Sequence, residues 1–333
     1  MQGRAIKLTY PFIVVAVVLL IAGCEKKEYA IPTPQDVLQN DVIKRSLGPN
    51  IVGQQIEFVY AMAILPEKGK ITSAKVEASF PGAAGTFLEH RSFSTSGGGA
   101  DVPVTVGTPS VNSGPTTTVT FNKDTSAAAL RYFYVVPEEA RDKTVSFTFS
   151  ATSSNGETVS HKMGPYKVAK MDMLRNLVVS DSTKVFYISI ADMAVYDSTA
   201  AAAKPDKIDL VYLYRTYATS AFNHALVSPG ADAQYRPGVN LPPGVNKSSK
   251  ILKVFNLADY DLARTQVGVY IDDIDFQQLN LSEAPNYAIN LRAEAGVWVE
   301  TFDGKYRAYI FINSVIARTA NKSATISIKR YAL

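Results

Sequence analysis

The sequence predicts a mainly β protein: an N-terminal immunoglobulin-like β-sandwich, then a second β-rich, sandwich-like domain carrying short helices. Three observations predict it. Many short runs alternate apolar and polar residues with a period of two, the spacing of a strand with one wet face. Gly, Pro, Ser and Asn punctuate those runs, as they do in antiparallel sandwiches. The stretch from Cys24 onward, about 310 residues, suits two domains of ordinary size.

The first sandwich is assigned to residues 50–168. Gln55 to Leu65 is apolar and β-branched with an alternating component. Ile71 to Phe80 puts Val76, Ala78 and Phe80 on one face and Lys75, Glu77 and Ser79 on the other. Thr116 to Phe121, Leu130 to Val136 and Thr144 to Ala151 continue the series. Ser154-Asn155-Gly156-Glu157 is a hairpin turn, because Asn-Gly readily takes positive φ, and Thr158 to Val168 is the returning strand. Gly97-Gly98-Gly99 lies in a long polar loop. It does not open a helix after a strand, so it is not a phosphate loop.

Residues 169–333 are assigned to the second domain. Val185 to Ile190 and Ile208 to Tyr214 read as strands. Between them the alanine-rich Ser198 to Lys204 predicts a short helix closed by Pro205. A loop rich in Pro, Gly and Asn runs from Ser228 to Ser249. Leu257 to Arg264 and Ile274 to Leu281 read as short helices or turns. Three strands close the chain: Tyr287 to Phe302, Tyr306 to Arg318 and Ser323 to Arg330. Asp303-Gly304 joins the first two as a tight hairpin.

The N-terminus predicts location. Residues 1–23 hold Arg4 and Lys7, no acidic residue, and an unbroken apolar run from Phe12 to Ala22. That run has the length of a signal-peptide core and is short for a bilayer span. It ends in Ile21-Ala22-Gly23-Cys24, which resembles the bacterial lipobox. Cleavage before Cys24 and lipidation of its sulfur are expected, anchoring the mature chain to a membrane. Residues 24–49, with Pro32 and Pro34, read as a tether. Cys24 is the single cysteine, so no disulfide, thiolate cluster or catalytic thiol is expected. The formal charge is +4, and the basic residues are scattered among acidic ones. No nucleic-acid partner is expected.

Several blocks resemble a Bacteroidetes lipoprotein family of unknown function. They are Asn50 to Phe58, Tyr132 to Arg141, Lys162 to Tyr166, Ile208 to Tyr212 and Thr325 to Lys329. The resemblance implies an outer-membrane, cell-envelope protein beside an import system, and it carries no catalytic residues. The layout is loosely similar to surface glycan-binding lipoproteins of starch-utilisation type, which implies a glycan as partner. The stretch after Cys24, Glu25-Lys26-Lys27-Glu28-Tyr29, is half acidic. The cell surface is the expected face, with the periplasmic face as the alternative.

Chemistry is sparse. His90, His161 and His224 lie far apart and form no metal-binding pair, no Gly-x-Ser-x-Gly elbow occurs, and no cofactor is expected. Asp272, Asp273 and Asp275 are the densest carboxylate group and a weak metal candidate; capping of a short helix is the alternative use. Trp298, Phe302 and Tyr306, around the Asp303-Gly304 hairpin, form a candidate platform for stacking on sugar rings. Trp298 and Phe302 share strand parity and are expected on one side, although a single Trp on a strand also reads as core. Tyr212, Tyr214 and Tyr217 form a second aromatic group, read as packing. Asp181-Ser182-Thr183 and Asp197-Ser198-Thr199 match a short O-glycosylation pattern with Ser182 and Ser198 as acceptors.

Together these readings predict a non-enzymatic binding protein for a glycan or a protein partner. One alternative is a structural or adhesin-type subunit, favoured by an unpaired edge strand at Gln55 to Leu65. The other is a cryptic glycoside hydrolase, which requires two carboxylates across one cleft, one with a raised pKa.

Overall fold

The computed structural model describes residues 35–217, 220–264, 268–318 and 320–333. The expected signal peptide and the expected lipidation site, Cys24, lie outside the described residues. Among the described residues, no helix is long and apolar enough to cross a membrane.

The first domain is built from β1 (Gln39–Lys44), β2 (Gln55–Ala63), β3 (Ile71–Ala78), β4 (Phe87–Leu88), β5 (Arg91–Thr95), β6 (Asp101–Thr105), β7 (Val111–Ser113), β8 (Thr116–Thr120), β9 (Ala127–Val135), β10 (Thr144–Ser153) and β11 (Thr158–Lys167). One sheet runs β1-β2-β9-β4 and the other β11-β10-β3-β8-β7. Every pairing within them is antiparallel, and the arrangement is a sandwich of immunoglobulin-like kind. The period of two does the work. In β10, buried Val145, Phe147, Phe149 and Ala151 alternate with half-exposed neighbours. They meet Phe58 and Tyr60 from β2 and Tyr132 and Tyr134 from β9 in one aromatic core. The rings of Phe58 and Phe147 pack edge-on at 4.8 Å, an arrangement that adds to the burial of apolar area.

Two differences from the sequence reading follow from tertiary pairing. Residues 39–44 were expected in the tether, but they form β1 on the flank of β2. Leu38 and Val42 supply the buried contacts, and two apolar anchors in a short polar stretch give little periodic signal. The Gly97–Gly99 loop is likewise the tip of a β5–β6 hairpin, whose second strand is exposed throughout.

The second domain contains β12 (Asp172–Ser180), β13 (Tyr187–Ser189), β14 (Ala194–Tyr196), α1 (Ser198–Ala203), β15 (Leu210–Tyr217), β16 (Ser220–Val227), β17 (Lys250–Val254), α2 (Tyr260–Ala263), α3 (Asp273–Gln278), β18 (Tyr287–Leu291), β19 (Gly296–Glu300), β20 (Tyr306–Arg318) and β21 (Asn321–Ala332). Its sheets run β12-β21-β20-β19-β17 and β14-β13-β15-β16-β18. Ile208, Leu210, Leu226, Val297, Val299, Ile310, Ile326 and Ile328 are among the residues filling the space between them. The strand expected over Tyr287 to Phe302 is two strands in different sheets, because the chain turns at 292–295, where Glu294 takes φ +69°.

The outer face of β12-β21-β20-β19-β17 is covered as well. Trp298, Tyr309, Phe311 and Tyr331 on the sheet meet Leu262 of α2, Phe276 of α3, Ile271 and Leu281, together with Ile51 of the first domain. This third core joins the domains. The Asn50 carbonyl accepts from Ala169 N–H at 2.8 Å, Arg141 pairs with Asp172 at 2.7 Å, and the Asp273 carboxylate accepts from the linker N–H groups of Lys170 and Met171 at 2.7 and 3.2 Å.

Candidate functional site

A cleft of about 710 Å³ opens between the two domains. One wall is the chain around Arg45, Gln54 and Glu57. The other carries Arg175, Tyr260, Asp261 and Tyr270. Domain junctions are favoured places for ligand pockets, and this volume lies within their usual range.

The second wall is held by polar groups buried beneath it. Lys329 on β21 is fully buried, and its ammonium donates to Asp259 at 2.7 Å, to Asp261 at 2.8 Å and to the Ile271 carbonyl at 2.8 Å. Asp259 also caps α2, accepting from Leu262 N–H at 3.0 Å, and accepts from Ile271 N–H at 2.7 Å. Burial pushes the Asp259 carboxyl above its ordinary range, and the Lys329 ammonium pulls it back. Asn313 donates to the Leu262 carbonyl at 2.9 Å, and the Tyr309 hydroxyl donates to the Leu257 carbonyl. Tyr309 lies across Gly296, where any Cβ would collide with its ring. The segment that displays Tyr260 and Tyr270 is therefore bolted to the sheet at several points, the preorganisation a binding site needs.

Arg175 reaches the cleft through a β-bulge. The register of β12 on β21 shifts between Leu174 and Leu177, and Asn176 takes φ +62°. Two residues then oppose Ser327, and a bulge of this kind re-aims a side chain. The Asn176 N–H donates to Ser327 Oγ at 3.2 Å, and Arg175 Nε donates to the Asp261 carbonyl at 2.7 Å. Burial, then the Arg264 charge, lowers the Arg175 pKa from its ordinary value. The rings of Tyr260 and Tyr270 lie 5.0 Å apart at 38°. Tyr260 is 39% exposed. The Tyr270 hydroxyl oxygen is buried and has no hydrogen-bond partner among the described residues, which is uncommon for a buried polar atom.

The candidate platform at the last hairpin is not assembled. Trp298 is 6% exposed and packs edge-on against Phe276 at 5.4 Å and at a tilt of 52° against Tyr309 at 4.7 Å. It belongs to the third core. Phe302 lies beyond the end of β19, in the turn, so strand parity no longer applies to it. It is exposed, with the Lys247 ammonium 4.5 Å from its ring. Tyr306 packs against the core between the sheets, on the face opposite Trp298. The parity that places Trp298 on one side of the sheet places Val297 and Val299 on the other.

Phe302 and Tyr306 do line a smaller pocket of about 370 Å³, with Asp209 and Asp303. Burial, first of all, pushes the Asp209 pKa up to about 7, with the Asp303 charge adding to it. Both carboxylates are engaged in holding turns. Asp209 accepts from Ile190 N–H at 2.8 Å, and Asp303 accepts from the Thr301 hydroxyl at 2.8 Å and from Lys305 N–H at 3.2 Å. Asp209 also makes a pH prediction. Its folded pKa lies above the unfolded one, so its contribution to stability is full below about 4 and is lost as pH rises through about 7, a swing of up to about 4 kcal/mol. Asp209→Asn should therefore gain stability relative to the parent between pH 5 and pH 8, measured by urea unfolding at each pH. A pH-independent difference would contradict this assignment.

Asp272, Asp273 and Asp275 are taken up by the backbone. Asp272 and Asp275 form a capping box at α3, and Asp273 ties down the interdomain linker. Each carboxylate points to a different N–H group, and among the described residues no group of three acidic or histidine side chains converges as for a metal. The edge-strand expectation is overturned: β2 is hydrogen-bonded on both sides, to β1 and to β9. Ser182 is exposed, with its hydroxyl accepting from Lys322 N–H at 2.8 Å. Ser198 is exposed at the start of α1, where Asp197 is the cap.

Sequence reasoning missed Arg175, Tyr260, Tyr270 and Lys329. A faint signal exists in Asp259-Tyr260-Asp261, a cap residue followed by a tyrosine and a second acid. Lys329 alternates with Ser327 on β21 and so resembles a solvent-facing position, yet both are fully buried.

This architecture defines a class: two docked antiparallel β-sandwich domains with a polar, tyrosine-bearing cleft between them. Residues 35–168 match DUF4466, a domain of unknown function, and residues 169–333 match DUF8576, a second domain of unknown function. A crystal structure of a DUF4466 family protein from Parabacteroides merdae is similar, with 43% identity and a TM-score of 0.83, over 90% of this chain and 100% of that one. The chain belongs to the DUF4466 family. The major pilin subunit BcpA of Bacillus cereus matches at a TM-score of 0.28 and 8% identity, over 86% of this chain and 63% of that one, and carries no argument. No curated protein matches the chain.

Proposed function

We propose that this protein is a lipid-anchored cell-envelope protein that captures a glycan, without catalysis, in the cleft between its domains. The observation that carries this reading is the Tyr260–Tyr270 pair, held at 5.0 Å on a polar wall that buried Lys329 fixes in place. Rigid aromatic faces stack on the apolar faces of sugar rings, and surrounding donors and acceptors take up their hydroxyls. Support for the anchor comes from the lipobox-like sequence ending at Cys24. A glycan-capture role suits a position beside an outer-membrane importer, and Ser182 and Ser198 stay proposed as O-glycosylation positions.

The test is binding of the purified chain to an array of plant, host and microbial glycans, with Tyr260→Ala in parallel. Tyr260 is exposed, so the variant should keep its melting temperature. Specific binding that falls by about tenfold or more in the variant is the expected result. An absence of binding to every glycan would defeat the reading.

A further inference from the structure

We propose, resting on the glycan reading of the cleft, that its ligand is an acidic saccharide whose carboxylate is bound by the fork of Arg175 while a ring stacks at Tyr260. Arg175 is placed for such a role. The bulge at Asn176 turns it into the cleft, and the bond from its Nε to the Asp261 carbonyl at 2.7 Å fixes the guanidinium plane. Among the described residues, no hydrogen bond engages the two terminal nitrogens, a planar pair of donors with the geometry that binds a carboxylate bidentately.

The cleft's own acidic groups are already committed. Glu57 pairs with Arg45 at 3.0 Å, and Asp261 pairs with Lys329 at 2.8 Å. Among the described residues, no carboxylate lies within ion-pairing distance of Arg175. The charges of Asp261 and Asp259 lie behind the guanidinium and favour its ionised form. In front of it stands an open cleft. Burial and Arg264 both oppose the charge on Arg175, and an incoming carboxylate offsets both. A neutral sugar would leave that charge desolvated and unpaired.

The experiment is calorimetric titration of the purified full chain with matched pairs. These are tri-galacturonate against its methyl ester, sialyllactose against lactose, and a hyaluronan tetrasaccharide against its carboxyl-reduced form. In at least one pair the acid should bind about tenfold tighter or better, and more weakly at high salt. Arg175→Gln should abolish the preference, and Arg175→Lys, which keeps the charge but not the fork, should restore only part of it. Equal binding of acid and neutral partners in every pair overturns the proposal, as does a preference that survives Arg175→Gln. The comparison on the parent chain decides the matter even if a variant fails to fold. Neutral glycans bound through Tyr260, with no acid preference, would leave the capture reading standing and this one refuted. No binding at all would remove both.

Discussion

Lys329→Met should destabilise the protein by about 3–5 kcal/mol, because it strands buried carboxylates without their cation. Lys329 and Asp259 are both fully buried, and the ammonium donates to three acceptors. Met preserves the length and most of the volume, so little of the loss comes from a cavity. The deficit should be pH-dependent with a defined sign. In the variant the Asp259 carboxyl, with its folded pKa raised further, favours folding most at low pH. The gap between variant and parent should therefore narrow as pH falls from 7 towards 5, read by denaturant unfolding. A double-mutant cycle with Asp259→Asn would measure the pair directly. A cost below about 1 kcal/mol, the range of exposed pairs, would show that the clamp is not the element that fixes the Tyr260 wall.

Trp298→Ala should cost about 3–5 kcal/mol and leave glycan affinity of the folded protein unchanged. The indole is buried between Phe276 and Tyr309, where truncation leaves a cavity beneath α3 and the linker-binding Asp273. As Trp298 is the single tryptophan, unfolding should be followed by far-ultraviolet circular dichroism. Binding is measured well below the lowered melting temperature. A variant of near-parental stability that has lost glycan binding would return the site to the last hairpin and remove it from the cleft.

Much of the fold is legible in the sequence, because alternation is a local property. β3 and β10 carry it openly, and Asn155-Gly156 and Asp303-Gly304 mark hairpins through the positive φ of their glycines. β1 and the β5–β6 hairpin are not legible. Each pairs with the next strand along the chain, but their own sequences hold few apolar residues to mark a buried face. The break at 292–295 is hidden for a related reason. Arg292-Ala293-Glu294-Ala295 keeps the polar–apolar alternation going through the turn, so the period does not mark the break.

The candidate site follows the same division. Composition and motifs by themselves determined the β class, the short helices, and the expectation of an anchored envelope protein with no catalytic constellation. Tertiary structure alone decided which aromatic residues are core and which face a cleft. Trp298 and Tyr260 are both aromatic residues beside turns or strands, and only the cover laid by α2, α3 and Ile51 over one sheet separates their fates. Burial is a property of what packs against a side chain, and a second layer can turn a polar strand face, such as that of Ser327 and Lys329, into the inside of the protein.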